Sequence, residues 1–247
     1  MQSNKNKYVE IVNELKQFTY DRSINAKNIK DLGYIVKSLI KDATEIVPKR
    51  KKNIPEDSHL KSHFGGQPYF EKGEQWPTKN GSDNFEFIFQ IFNTGNINLP
   101  ENIKLIQFYY DFENYPYDES AFIKIYEQIN VANNIVIKKP EWHSEKNYCE
   151  IEYVAKKSLP DIDLGIDEAT IYYQIVKNLN VDFNFCSQLG GYPKKLQTEA
   201  SPKNKDFQLL FQIDSESEAG LMWSDCGLVY AFYNKKTKET IFDIRFC

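Results

Sequence analysis

Arginine is scarce in this chain of 247 residues, in which only three of the 31 basic residues are arginines. The formal net charge is −4. Recognition of phosphates depends on clustered positive charge and on the two-pronged arginine side chain, so we expect no nucleic-acid partner. No stretch approaches the ~18 unbroken apolar residues that a membrane-spanning helix needs. We therefore expect no membrane partner.

Cysteine and histidine are also too few or too scattered to form a metal site. Cys149, Cys186, Cys226 and Cys247 lie far apart and form no C-x-x-C pair, which predicts four reduced thiols. His59 and His63 stand four residues apart, but no glutamate of a zinc-protease motif lies between them. We expect neither a metal nor a cofactor. The first ten residues, MQSNKNKYVE, lack the apolar segment of a secretory signal, which predicts a cytoplasmic protein.

Aromatic residues are abundant, with 17 Phe and 16 Tyr, and provide material for a large core. Apolar residues recur with helical spacing over 8–18 and again over 32–47, up to Pro48. A further helix is predicted from Asp167 to Leu179. Strand-like segments occupy the remainder, at 85–92, 105–111, 121–129, 134–138, 148–155, 207–213, 228–233 and 240–246. The pattern predicts an α+β fold in which the N-terminal helices pack on β-rich halves.

Three segments of the chain occur twice, in the same order. Ser62–Tyr69 resembles Ser187–Lys194, Glu86–Ile91 resembles Gln208–Ile213, and Leu105–Asp111 resembles Leu228–Asn234. The separations are 125, 122 and 123 residues. The repeat predicts an internal duplication of two similar, mostly antiparallel halves about a pseudo-two-fold axis. We expect a helical lead-in at 1–60, a first repeat at 61–140 and a second at 141–247, together forming one compact domain.

The same segments carry a resemblance to a known family. The pattern Ser62-x-Phe64-Gly65-Gly66-x-Pro68, with Trp76-Pro77 and Phe89-Gln90-Ile91, resembles the first half of the YwqG-like family. Leu189-Gly190-Gly191-Tyr192-Pro193, Phe211-Gln212-Ile213-Asp214 and Met222-Trp223-Ser224-Asp225 resemble its second half. Ser224 departs from the family pattern, which has a glycine there. The resemblance covers residues 60–234 and implies an uncharacterised bacterial protein with no established catalytic residue.

Four residues of the repeat are candidates for a binding site. Gln90 and Gln212 occupy equivalent positions in apolar strands, where each would either hydrogen-bond the main chain or contact a ligand. Trp76 and Trp223 stand beside turns, where each would either fill the core or form the wall of a pocket. We expect both tryptophans to approach a groove between the two halves, because such grooves are favoured binding sites.

Two carboxylates complete the candidate site. Asp214 ends a repeated strand, and Asp225 follows Trp223. They would give the groove an acidic character suited to a protein or to a cationic small molecule. We therefore predict a binding or interaction module, of the accessory or immunity type found in bacterial conflict systems, and favour a protein without catalytic activity. The alternative is a hydrolase or lyase that uses Asp214 and Asp225 for acid–base chemistry; the competing interpretation of both residues is a pair of turn-capping side chains.

Overall fold

The computed structural model describes residues 11–13, 26–78, 85–113, 120–161, 165–179, 181, 187–196, 202 and 204–246. Residues 11–13 are helical, and the other α-helices described are α1 (Ala26–Lys37) and α2 (Ile166–Asn178). The strands are β1 (Lys41–Arg50), β2 (His63–Phe64), β3 (Phe70–Glu71), β4 (Glu86–Phe92), β5 (Leu105–Tyr110), β6 (Ala121–Tyr126), β7 (Asn134–Ile135), β8 (Cys149–Ser158), β9 (Gln188–Gly190), β10 (Phe207–Asp214), β11 (Leu228–Asn234) and β12 (Thr240–Arg245).

Ten of the described strands form one sheet with the order β12-β11-β10-β9-β1-β8-β2-β4-β5-β6, and its neighbouring strands are antiparallel. The first array of this sheet is β2, β4, β5 and β6, and the second array is β9, β10, β11 and β12. The long strands β1 and β8 pair with each other between the two arrays. The sheet therefore runs through all three segments expected from the sequence.

The described residues are mostly β, so the expected α+β fold with N-terminal helices packed on two halves is wrong. The helix expected over 32–47 ends at Lys37, and strand β1 begins at Lys41. Thr44, Ile46 and Val47 are β-branched and favour a strand. Pairing with both β8 and β9 also satisfies the backbone groups of this segment within the sheet.

The two helices pack against each other instead of covering the two arrays. Leu32 and Val36 of α1 share a buried cluster with Tyr172, Ile175 and Val176 of α2. The helical spacing that predicted residues 167–179 is confirmed by α2. The part of the helix expected over 14–18 lies outside the described residues.

The sheet curls so that its two arrays share one core. Strands β4 and β10 stand five places apart in the sheet, a separation of roughly 24 Å if the sheet were flat. Yet the ring centroids of Phe89 in β4 and Phe211 in β10 are 5.1 Å apart. Both rings are fully buried in the largest aromatic cluster, together with Phe108 and Trp223.

The two arrays repeat the same pairings. His63 pairs with Gln90 and Gln188 pairs with Gln212, in each case across the first two strands of an array. Each array also has one register irregularity, after Phe87 in β4 and after Leu209 in β10. The order β2-β4-β5 in the first array matches β9-β10-β11 in the second.

One sequence expectation about cysteine is wrong, because Cys226 is disulfide-bonded. Cys149 is a free, buried thiol, while Cys186 and Cys247 lie outside the described residues. The described residues contain no helix long and apolar enough to cross a membrane. Among the same residues, no three His, Cys, Asp or Glu side chains are grouped so that they could hold a metal ion.

Candidate functional site

A pocket of about 460 Å³ opens between β1 and the second array. Volumes of roughly 300–1,000 Å³ are typical of small-molecule sites. Apolar walls come from the loop before β5 and from β10, and the polar groups come from both ends of the pocket. The lining residues are Lys41, Asp42, Asn98, Leu99, Pro100, Glu101, Gly190, Gly191, Gln208, Leu209, Leu210, Tyr233 and Lys235.

Two lysines in this pocket have no carboxylate partner among the described residues. The ammonium group of Lys41 lies 4.0 Å from the ring centroid of Tyr192, and burial lowers the pKa of this lysine. Lys235 and Glu101 each line the pocket without an ion pair to a described residue. Asp42 is already paired with Lys157. The pocket therefore carries more uncompensated positive than negative charge.

The corresponding place at the first array can be located from the strand pairings. Thr44 of β1 pairs with Leu189 of β9, and Cys149 of β8 pairs with Phe64 of β2. Lys41 stands three residues before Thr44, and Lys146 stands three residues before Cys149. The two lysines therefore occupy equivalent positions.

This counterpart is filled by side chains. The ammonium group of Lys146 lies 2.9 Å from a carboxylate oxygen of Glu86 and 4.5 Å from the ring centroid of Phe112. The indole of Trp223 stacks on Phe112, with 5.8 Å between ring centroids and an interplanar angle of 12°. Trp223 also meets the ring of Tyr110 edge-on at 5.2 Å.

The six residues expected from the sequence to bind a ligand do not line the pocket. Gln90 is fully buried, and its side chain forms hydrogen bonds with main-chain groups of three residues. Its side-chain oxygen accepts the N–H of Tyr69 (2.8 Å), and its amide donates to the carbonyls of His59 (3.0 Å) and Lys61 (2.8 Å). The oxygen of Gln212 likewise accepts the N–H of Lys194 (2.7 Å). Both glutamines therefore attach the chain segment that follows a Gly-Gly turn to the sheet.

The two tryptophans lie on opposite faces of the sheet. Trp76 is half-buried, donates from Nε1 to the carbonyl of Phe85 (2.8 Å) and contacts the ring of Tyr109. Trp223 is fully buried and contacts Tyr110, the next residue of β5. Successive side chains of a strand point to opposite faces, so the structure does not bring Trp76 and Trp223 together.

The two aspartates occupy turns. The carboxylate of Asp214 accepts the N–H of Ser215 (2.7 Å), and Asp225 is exposed in the turn that Gly227 closes by donating to the carbonyl of Trp223 (2.8 Å). Among the described residues, no histidine contacts either aspartate. The geometry of Asp214 agrees with the turn-capping interpretation, whereas the turn at Asp225 is closed by main-chain groups.

Among the described carboxyl groups, the one whose pKa is strongly raised is a different one, Glu216. It accepts a hydrogen bond from the hydroxyl of Ser187, and burial raises its pKa to about 7. The nearby charges of Asp214 and Glu45 raise it further, whereas the Ser187 hydrogen bond acts in the opposite direction.

Sequence reasoning missed Lys41 and Lys235, and it interpreted Glu216 as part of a solvated acidic loop near Asp214. Lys41 lies inside the segment 32–47 that was predicted to be a helix, and Lys235 sits in a polar turn that resembles any solvated loop. The internal repeat is the signal that could have identified Lys235. Lys235 stands two residues after Tyr233, and Phe112 stands two residues after Tyr110, the equivalent tyrosine of the first repeat.

The fold and the pocket thus define a mostly β protein in which two similar strand arrays enclose one core and one array carries a ligand-sized pocket. A family model described as a domain of unknown function, DUF1963, matches residues 62–242. Because this match spans most of the chain, the protein belongs to the DUF1963 family. A comparison with curated proteins found no match.

Proposed function

We propose that this protein is a binding module that holds a small molecule in the pocket between β1 and the second array. The observation that carries the proposal is the pocket itself, of about 460 Å³, in which Lys41 and Lys235 have no carboxylate partner within the part of the chain that the structure describes. Both lysines are exposed to solvent at the pocket, and an anionic group of a ligand would supply the charged partner that they lack.

The repeated pairings support an internal duplication as the origin of this pocket. At the first array the counterpart is filled by Trp223, which comes from the second repeat, whereas at the second array Glu101 from the first repeat stands at the matching place. Both residues follow a buried leucine by two positions, Leu221 and Leu99 respectively. In this proposal the site at the first array is a closed, structural version and the site at the second array is an open one.

The first experiment closes the pocket by design. Glu101→Trp places an indole where the first array has that of Trp223, and Glu101→Ala is the matched control that keeps the pocket open. We would screen ¹⁵N-labelled protein against a fragment library with anionic, cationic and neutral members and follow the amide signals of Gly190 and Gly191. Fragments that shift these signals in the wild type and in Glu101→Ala, but not in Glu101→Trp, would support the proposal.

Two results would contradict the proposal. If no fragment shifts the pocket amides of the folded wild-type protein, or if Glu101→Trp binds every fragment as the wild type does, the pocket is not the binding site. Melting curves of both variants would show that they are folded.

The more specific predictions from the sequence, which concern family, role, location and partner, remain proposals. The resemblance to YwqG-like proteins is supported by the Gly-Gly-x-Pro and Phe-Gln-Ile motifs. An accessory or immunity-type role, a cytoplasmic location and a protein partner stay predictions. Affinity purification of the tagged chain from its own host, with Glu101→Trp as the comparison, would test the role and the protein partner.

A further inference from the structure

The counterpart of the pocket shows which chemical groups this place in the fold accommodates. At the first array, the site holds three things together: a lysine (Lys146), a carboxylate (Glu86) and a flat aromatic group (the indole of Trp223 stacked on Phe112). The side chains of Lys146 and Glu86 are only 14% and 12% exposed. A lysine–carboxylate pair beside stacked rings is therefore the closed form of this site.

The pocket keeps the lysine but has lost the carboxylate. Glu86 pairs with Tyr110 across β4 and β5, and Gln208 pairs with Tyr233 across β10 and β11. Gln208 is thus the residue at the position of Glu86, and its side chain is neutral. Lys41 consequently faces no carboxylate corresponding to Glu86.

The pocket has also lost both aromatic groups of the closed form and has gained a second lysine. Lys235 stands two residues after Tyr233, where the first array has Phe112 two residues after Tyr110. Glu101 replaces Trp223. The tyrosine wall remains, because Tyr233 lines the pocket and its hydroxyl is held by the amide of Asn102 (2.9 Å).

The charged groups around the pocket favour an anion. Asp42 forms an exposed ion pair with Lys157, which leaves two ammonium groups against the carboxylate of Glu101. A ligand carboxylate near Lys41 and Lys235 would restore the lost charge pair, and charge-assisted hydrogen bonds are the stronger kind. An aromatic group would occupy the space that Trp223 fills at the first array, here against Tyr233 and Leu99.

We infer that the pocket binds a small aryl carboxylate, whose carboxylate replaces the missing Glu86 and whose ring replaces the missing indole. This inference rests on the proposed function, since it names the class of ligand for the same pocket. It replaces the cationic ligand that the sequence suggested. A cationic ligand is kept as one outcome of the test.

The test compares three probes with the same indole ring and different charge: indole-3-acetate (anionic), indole-3-ethanol (neutral) and tryptamine (cationic). Amide shifts of Gly190, Gly191 and Glu101 would be followed up to about 10 mM probe, since ligands of this size bind with dissociation constants on the order of 1 mM. We expect indole-3-acetate to bind at least roughly tenfold more tightly than the other two, because only it supplies a charged partner for the lysines.

Variants of the lysines test the assigned contacts. Lys41→Gln and Lys235→Gln should each weaken indole-3-acetate roughly tenfold, the effect of one charge-assisted hydrogen bond. The matched control is Lys236→Gln, which removes a lysine that pairs with exposed Asp206 and does not line the pocket. It should leave the affinity unchanged within about twofold.

A reciprocal variant copies the closed form. Gln208→Glu introduces the carboxylate of the first copy beside Lys41 and should weaken indole-3-acetate at least roughly tenfold while keeping the protein folded. Glu101→Gln should have the opposite effect and tighten binding, because it removes the remaining negative charge.

The outcomes separate this inference from the proposed function. If indole-3-ethanol binds as tightly as indole-3-acetate, or if tryptamine binds best, the aryl carboxylate is refuted while the pocket survives as a ligand site. If Lys41→Gln and Lys235→Gln leave the affinity for indole-3-acetate unchanged, the assigned contacts are refuted. If none of the three probes shifts the pocket amides, the aryl carboxylate is refuted as well, and the fragment screen then decides on the pocket.

Discussion

Glu216 should make the stability of this protein depend on pH in a direction unusual for a carboxylic acid. Its pKa is raised from 4.5 to about 7, chiefly by burial, and the neighbouring charges are those of Asp214 and Glu45. Glu45 itself is paired with Lys156 at 3.3 Å. Because the folded state binds this proton more tightly than the unfolded state, its contribution to stability is complete below about pH 4.5 and is lost as the pH rises through 7.

The size of the effect follows from the shift. The rise from 4.5 to about 7 corresponds to roughly 3 kcal/mol at about 1.4 kcal/mol per unit. Because Glu216 is only partly buried and solvent screens its charge, we expect about 1–2 kcal/mol.

The assay is urea unfolding at about pH 5 and about pH 8 for the wild type and for Glu216→Gln. The glutamine oxygen can still accept the hydrogen bond from Ser187, but the side chain does not ionise. The variant should therefore be about 1–2 kcal/mol more stable than the wild type at the higher pH and no more stable at the lower pH. Glu218→Gln is the matched control, because Glu218 is exposed in the same turn. The reasoning is refuted if Glu216→Gln retains the wild-type dependence on pH.

Three further predictions concern stability, each measured by urea unfolding. Gln90→Leu should cost about 3 kcal/mol, because it leaves buried main-chain groups without partners; a loss below 1 kcal/mol would contradict this role. Gly65→Ala should cost roughly 3 kcal/mol, since the added Cβ would lie 2.7 Å from the carbonyl oxygen of Asn147 at a φ of +60°. Gly73→Ala, also at positive φ but in open space, should cost only about 1–2 kcal/mol, and equal losses at the two glycines would contradict the clash. Ser224→Gly should stabilise the protein by roughly 0.5–1 kcal/mol, because Ser224 has a φ of +54°, and a loss of stability would refute the strain.

The local elements of the repeats follow from the sequence because their patterns are short-range. Alternating and aromatic runs predicted β4, β5, β10, β11 and β12 to within a few residues, and the helical spacing predicted α2. The paired glutamines were located for the same reason, since equivalent strands carry equivalent residues. Their hydrogen bonds to Tyr69 and Lys194 could be expected in kind, because a buried amide must find partners.

Strand β1 could not be predicted locally, and the pocket depends on it. Residues 41–50 carry apolar side chains that fit a helix as well as a strand, and only pairing with β8 and β9 decides between them. That pairing places Lys41 against the second array and makes it the counterpart of Lys146, which the sequence separation alone does not reveal. The charge balance of the pocket is likewise a tertiary property, since Lys41, Gln208 and Lys235 come from distant segments. The sequence by itself determined the repeated strands and their buried glutamines, because those depend on neighbours along the chain. Only the curled sheet decided which array has its site filled by Trp223 and which array has its site left open, because side chains from separate strands must meet in space before a site can be closed.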